Sequence, residues 1–360
     1  MMDMTKRRRN IVLKLRSVLT AAALICTLLP ALPAAASEAA AETAAKVSEA
    51  AAETVVEVSE AAAETPAGAE EAAAETTAAA ADTAQGSVEA AEDAGAVIGE
   101  SIVQTMDFTD VYGNVHTLTI DPTALTHDYN EEYFILLDPY MYYTDAANYT
   151  FRWGIDVSYY QGDIDWESVK AAGFEFVFIR VGYRGYGSRG SLVEDRKFRD
   201  NLAGAKAAGL DVGVYFFSQA LDEAEAAEEA AFVLSLLGGE TLELPIVYDF
   251  EFRMNSDGSR KPEARSSTLT GTQVSLNTIA FCSAVAAAGY EPAFYTNLVS
   301  ESEVYNMTAL SPYTVWYADY SAAPQTPYAF TFWQYSESGQ IPGIEGNVDL
   351  NIQLIPVTQE

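Results

Sequence analysis

From Trp153 onward, short apolar runs alternate with helix-forming runs, and this alternation restricts the possible folds more than any other feature of the chain. Trp153–Val157 reads as a strand ending near Asp156, and Trp166–Ala172 as a helix closed by Gly173. Phe174–Val181 is a second strand, with Arg180 near its end. A helix over Phe198–Ala208, a strand over Val212–Phe217 and a long Ala/Glu helix from its Asp222 cap to Leu237 follow. Pro245–Glu251 is the fourth strand. After a polar stretch from Arg253 to Gly271, the spacing predicts a helix over Thr272–Ala288 and a strand over Pro292–Thr296. The helices then thin out, leaving strands at Tyr313–Tyr317, Phe330–Tyr335 and near Val348–Ile352. Strands separated by helices pair in parallel through right-handed crossovers. About eight of them predict an α/β chain closed into a (β/α) barrel, its last strands lacking helices. In such barrels chemistry gathers where the strands end.

What precedes residue 151 divides by composition. Residues 1–36 carry Lys6, Arg7, Arg8, Arg9, Lys14 and Arg16, an apolar run from Val18 to Leu29, and Ala34-Ala35-Ala36 before Ser37. That is the pattern of a cleaved export signal. Residues 37–100 repeat Ser-Glu-Ala-Ala-Ala-Glu-Thr and its variants every 11 residues, from Ser37, Ser48 and Ser59. With few apolar side chains larger than Ala, this tract reads as a solvated, partly helical spacer rather than a packed rod. Within residues 101–150, Asp110–Ile120 alternates around Gly113-Asn114, a hairpin signal, and tyrosines then cluster (Tyr129, Tyr133, Tyr140, Tyr142, Tyr143, Tyr149). A small β-rich extension packed on the barrel is expected there.

Charge and rare residues limit the chemistry. The formal net charge of -32 repels nucleic acid and anionic membrane surfaces. From Arg152 onward, 28 Asp or Glu face 13 Lys or Arg, so the barrel itself is moderately acidic. Cys26 falls in the apolar leader, leaving Cys282 without an intramolecular partner in an apolar helix, where a small buried role is expected. The two histidines, His116 and His127, precede the barrel. Residues 151–360 therefore contain no imidazole to activate a Ser or Cys nucleophile and no His/Cys set for zinc. No metal, cofactor or obligate protein partner is expected, and acid–base work falls to carboxyls or tyrosines.

The candidates are the polar and aromatic residues at strand ends. Asp249 and Glu251 stand two apart on the apolar run Leu244–Phe252. In a strand they share a face, about 6–7 Å apart. Burying two like charges there is expensive unless they are neutralised or used. Asp156, Tyr215, Phe217, Tyr295, Trp316 and Asp349 fall at or near other strand ends. Four acids amid flat aromatic faces match the needs of sugar cleavage: carboxyls for proton transfer and rings for pyranose faces. Taken singly, Asp156 reads equally well as a turn cap, Trp316 as core and Asp349 as surface.

A set of motifs runs in order over residues 152–354: Gly154-Ile-Asp-Val-Ser158, Gln161-Gly162, Ile164-Asp-Trp166, Phe176–Tyr183, Gly213-Val-Tyr-Phe-Phe-Ser218, Leu244-Pro245 with Asp249-Phe-Glu251, Phe332-Trp-Gln-Tyr-Ser336 and Gly343–Asp349. In residues and order they resemble the glycoside hydrolase family 25 muramidases. The resemblance implies an irregular, TIM-like (β/α) barrel that cleaves the β-1,4 bond between N-acetylmuramic acid and N-acetylglucosamine in peptidoglycan glycan strands, outside the cell or at the wall. Position by position it makes Glu251 the proton donor, Asp249 its partner, and Asp156 and Asp349 the further acids. Tyr215, Phe217, Tyr295, Trp316, Arg180 and Gln334 are the matching candidates for substrate contact. One departure is Phe216, where many members carry His. Two rivals remain at this stage: a surface protein that binds glycan without cutting it, and a related barrel glycosidase acting on chitin-type polymers.

Overall fold

The computed structural model describes residues 104–357. The expected export signal and Ala/Glu spacer lie outside the described residues. Two antiparallel hairpins come first, β1 (Thr105–Thr109) with β2 (Val115–Thr119), and β3 (Phe134–Leu137) with β4 (Tyr140–Tyr143). Gly113-Asn114 lies in the first connection as expected, but the turn spans Asp110–Asn114. Asp110 closes it by accepting from the backbone of Tyr112 and Asn114. The partner strand is therefore the run upstream of Asp110.

The barrel proper begins with β5 (Tyr149–Val157), α1 (Trp166–Ala171), β6 (Phe176–Arg184), the short β7 (Leu192–Glu194), α2 (Phe198–Ala207) and β8 (Asp211–Ser218). It continues with α3 (Glu223–Leu237), β9 (Ile246–Phe250), α4 (Gly271–Ala287), β10 (Pro292–Asn297), α5 (Leu298–Glu303) and α6 (Met307–Leu310). It ends with β11 (Thr314–Ala318), β12 (Phe332–Gly339) and β13 (Val348–Pro356). Side-chain caps set where the helices start: Asp165 accepts from Ser168 N at α1, Asp222 from Glu225 N at α3 and Thr270 from Gln273 N at α4. Each satisfies a backbone donor left open by the first helical turn.

Eight strands close in the order β5, β6, β8, β9, β10, β11, β12, β13 and back to β5, while β7 hangs on the open side of β6. Six of the eight contacts are parallel. The two made by β13 are antiparallel, so the result is a closed mixed barrel. All-parallel pairing was the expectation, and it fails at the last strand for a simple reason. Only Gln340–Asn347 separate β12 from β13, too short a span for a crossover, so the chain turns straight back. The helices also thin out less abruptly than expected, since α5 and α6 both fall between β10 and β11.

Inward-facing residues recur with period two, and at mid-barrel they are apolar. Phe176, Phe178, Val247, Ala293, Trp316 and Phe332 form one buried cluster, with Tyr215 and Tyr295 packed against it. Phe178 stacks on Trp316 at 4.6 Å between ring centroids. Two glycines make room for the rings. A Cβ on Gly154 would lie 2.2 Å from the Phe176 ring, and one on Gly213 would lie 2.5 Å from that of Phe178. The barrel is thus plugged by aromatics, and anything chemical must sit above the plug. Outside, the helices cover β6 to β10. The strands without helices are covered by the extension: Phe134 packs on Trp333 at 5.1 Å, Tyr129 on Phe330 at 4.8 Å and Tyr140 on Trp153 at 4.7 Å. Trp153 Nε1 donates to Met141 O, and Tyr335 Oη to Pro139 O. Residues 105–143 therefore share one continuous core with the barrel.

Candidate active site

Asp156 is the next inward residue after Gly154 on β5, and Asp349 lies directly opposite it across the antiparallel β13–β5 contact. Side chains so placed have Cβ atoms about 5 Å apart. Asp349 opens its strand whereas Asp156 closes one, and only the reversal of β13 brings the two to the same rim. Asp249 follows Val247 on the inward face of β9, in register with Phe217 of β8. Glu251 lies one residue past the end of β9, so the strand expected over Pro245–Glu251 stops short of it. Asp249 is buried, 6 % exposed, while Glu251 is exposed.

The Asp156 carboxylate is held by a directional network. Its Oδ2 accepts from Asn351 Nδ2 at 2.8 Å and from Gln334 Nε2 at 2.7 Å. Asn351 Oδ1 in turn accepts from Trp316 Nε1 at 2.8 Å. Gln334 Oε1 accepts from Tyr295 Oη at 2.9 Å and Tyr320 Oη at 3.0 Å. An indole N–H can only donate. The Asn351 oxygen must therefore face Trp316, and its N–H₂ must face Asp156. Asp156 Oδ2 is thereby fixed as an acceptor, and the two donated bonds favour the charged form of Asp156 relative to that of Asp349.

The titration directions agree with this polarity. Burial raises the Asp156 carboxyl above the ordinary range, opposed by the bonds from Asn351 and Gln334. Burial, and next the Asp156 charge, raise Asp349, and raise it further than Asp156. Asp249 is pushed well up by burial first, then by Glu251 and Asp156, with Arg180 opposing. Its Oδ1 receives no hydrogen bond among the described residues. Glu251 is raised by its enclosure in the mouth and by Asp156, with Arg253 opposing. It touches solvent while protein surrounds it, as expected of a group lining a cleft. Two acid pairs, each raised by burial and by like charge, thus lie within electrostatic reach of one another.

The structure brings all four candidate acids to one rim, together with Tyr295 and Gln334. Arg180 lies beside them but is engaged: its Nη2 is 2.7 Å from Asp195 Oδ2, and its guanidinium lies over Tyr159 at 5.0 Å. Tyr215 and Phe217 line the inside half-buried. Trp316 is a correction. At 2 % exposure it belongs to the aromatic plug beneath the acids, where its N–H orients Asn351, and it offers no face to a sugar. Phe216 points the other way, onto Phe232 of α3 at 6.1 Å between ring centroids. Its departure from the family's His alters the outer packing rather than the mouth. Sequence reasoning missed Asn351 and Tyr320. Asn351 was findable, because it stands two residues after Asp349 on the same strand face. Tyr320 lies in the loop after β11, and no periodicity marks it. Among the described residues, no set of three His, Cys, Asp or Glu side chains is arranged to hold a metal ion.

Gln219 steadies the segment that carries Glu251. Its Nε2 donates to the backbone oxygens of Ser218 (2.8 Å) and Glu251 (2.9 Å), and its Oε1 accepts from Ser266 Oγ at 2.6 Å. Gln219 and Ser266 are both fully buried. This links the long loop after β9 to β8 and fixes the backbone from which the Glu251 side chain leaves.

Comparison with known proteins gives this arrangement a context. The model of the glycosyl hydrolases family 25 matches residues 155–344, just over half of the chain. Lysozyme M1 of Streptomyces globisporus is 33% identical over 212 residues, covering 55% of this chain and 66% of that protein. The autolytic lysozyme of Clostridium acetobutylicum is 27% identical over 199 residues, covering 55% of this chain and 54% of its own length. The chain thus spans about two thirds of the first of these relatives and about half of the second. Among solved structures, a bacterial lysozyme from Streptomyces coelicolor superposes with a TM-score of 0.45 at 29% identity, covering 56% of this chain and 90% of that one. The family match runs from one residue before Asp156 through Asp249 and Glu251, and with it the chain belongs to the glycosyl hydrolases family 25.

Proposed function

We propose that this chain is an exported peptidoglycan hydrolase of the lysozyme type, cleaving the β-1,4 bond between N-acetylmuramic acid and N-acetylglucosamine. The observation that carries the reading is the accessible Glu251 beside the enclosed, unpartnered Asp249 at the end of β9. The names of the curated relatives, two lysozymes, support it. The catalytic part is an irregular (β/α) barrel over 151–360, with the extension at 101–150, the spacer at 37–100 and the signal at 1–36. Export to the wall follows from that signal pattern.

The general acid must reach the glycosidic oxygen, and of the two acids at the end of β9 Glu251, one residue beyond it, is the one on the open side. Its carboxyl is raised by enclosure, the direction a general acid needs, although Asp249 is raised further and the proton must pass to Glu251 as the bond breaks. As the bond breaks, positive charge grows at the anomeric carbon. That charge favours the arrangement with the proton on Glu251 and the negative charge on Asp249, which stabilises the developing cation or orients the substrate's acetamido group toward it. Asp156, fixed as a carboxylate acceptor, keeps the potential of the mouth negative. Substrate is held by Tyr215, Phe217 and Tyr295, while the buried amide of Gln334, engaged by Asp156, Tyr295 and Tyr320, orients these groups.

The test uses Glu251→Gln and Asp249→Asn in the full chain, with reducing-sugar release from purified peptidoglycan as the assay. Both variants are expected to fold and to lose release by at least a hundred-fold, a loss in keeping with general-acid contributions of about 10²–10⁴. Wild-type activity in both would overturn the assignment. Hydrolysis of chitin but not peptidoglycan by the parent would replace the substrate.

A further inference from the structure

All 13 Lys and Arg of the described residues lie from Arg152 onward, and seven are paired with acids: Arg152, Arg180, Arg184, Lys197, Arg199, Lys206 and Arg265. Such pairing is the default in a domain with twice as many acids as bases. Six are not paired, and among these Arg196 and Arg253 are the exposed ones stacked on a tyrosine ring. Arg196 lies over the ring of Tyr159 at 4.3 Å, and Arg253 over the ring of Tyr186 at 5.2 Å, neither with an acid partner among the described residues. A guanidinium stacked on a ring keeps its N–H edge free and pre-oriented for a planar anion.

Both pairs sit on the rim. Tyr159 follows the end of β5, Tyr186 follows the end of β6, and Arg253 is two residues beyond Glu251. Arg196 follows Asp195, whose backbone N donates to Val181 O at 2.9 Å and whose carboxylate holds Arg180, so it stands at the level of the acids. A mouth lined by carboxyls repels any substrate that is itself anionic. Cations left unneutralised beside it therefore mark where negative charge of the ligand comes to rest.

We propose, resting on the muramidase reading above, that Arg196 and Arg253 form a subsite for the carboxylates of the peptide stem that peptidoglycan carries on its muramic acid. The subsite selects stem-bearing glycan and offsets the repulsion from Asp156, Asp249 and Glu251. Its contribution is to binding, so it appears in KM and in retention on the wall, and added salt screens it.

The experiment compares purified peptidoglycan bearing free stem carboxylates with the same material after the carboxylates are converted to amides. The full chain and its Arg196→Gln and Arg253→Gln variants are measured for hydrolysis and for retention on the insoluble substrate. Each substitution is expected to raise KM about five-fold on the charged material, the upper end for one exposed charge pair, and to do little on the amidated material. The ratio of kcat/KM between the two substrates cancels any common effect of Arg253 on Glu251. Parent retention on charged peptidoglycan is expected to fall with salt, and retention on amidated material to stay level. Equal discrimination in parent and variants would overturn the subsite. Charge-dependent, Arg-dependent retention without hydrolysis of either substrate would support it while overturning the muramidase reading.

Discussion

The directional network at Asp156 makes a demanding prediction for Asn351→Asp. Asp and Asn have nearly the same volume, so the aromatic plug keeps its packing, and the new side chain still offers Trp316 Nε1 an oxygen. What changes is the group facing Asp156: a donor at 2.8 Å becomes an oxygen. A hydrogen bond to a charged group contributes about 1.5–3 kcal/mol. At 1.36 kcal/mol per pH unit, its loss raises the Asp156 carboxyl by roughly one to two units before any like-charge repulsion is added. The sign is fixed, because a bond made to the charged form lowers a carboxyl pKa and its removal raises it. The acid limb of the kcat/KM profile on peptidoglycan should move up by at least about one unit, with the rate on that limb falling about ten-fold. Trp316→Phe, which removes only the indole donor and frees the Asn351 amide to turn, should shift the limb the same way by less. Folding is checked by near-ultraviolet circular dichroism. If the Asn351→Asp protein is folded and its acid limb coincides with that of the parent within about 0.3 unit, the polarity argument is wrong and Asn351 merely fills space.

Three further outcomes follow from the packing. Phe216→His, which restores the family's commoner residue, should leave kcat unchanged and lower stability by about 2–4 kcal/mol in urea unfolding, because a smaller, polar ring would replace the fully buried phenyl packed on Phe232. Glu301 is buried, accepts from Thr326 Oγ1 at 2.6 Å through one oxygen, and has its carboxyl pushed by burial up to about 8. Since that value exceeds the unfolded one of 4.5, its stabilisation is complete below about pH 4.5 and lost as pH rises through about 8. Glu301→Gln should flatten the decline of Tm across that window. A chain beginning at residue 151 should be insoluble or bind a hydrophobic dye. It loses Tyr129, Phe134, Tyr140 and Tyr142 from the core at about 1.5–3 kcal/mol each, comparable to the whole stability of a typical domain.

Much of the barrel was legible because local signals and tertiary demands agree. Asp222 caps the helix whose start it marks, Gly173 and Gly209 close two others, and the apolar runs on either side have the lengths of buried strands. Where the signals are weak the reading slipped. β7 has three residues and α6 has four, too few for any period to emerge. Trp316 was placed at the rim because its strand position was known but its depth was not. Depth depends on neighbours such as Phe178, 138 residues away in the chain. Asn351 escaped notice for the opposite reason: its spacing from Asp349 was visible, but an amide acquires meaning only once Trp316 is known to present a donor to it.

The reversal of β13 connects these points. Were the last strand parallel, Asp349 at its start would lie at the closed end of the barrel, with the apolar residues of the plug between it and Asp156. The short turn after β12 forces the strand to run back. Asp349 then meets Asp156, and Asn351, two residues on, falls between Trp316 and Asp156. One topological change thus delivers both the opposing acid and the amide that donates to Asp156. With Asp349 set opposite Asp156, and Asp249 and Glu251 within reach, the four carboxyls of the rim are all raised and titrate as one coupled set.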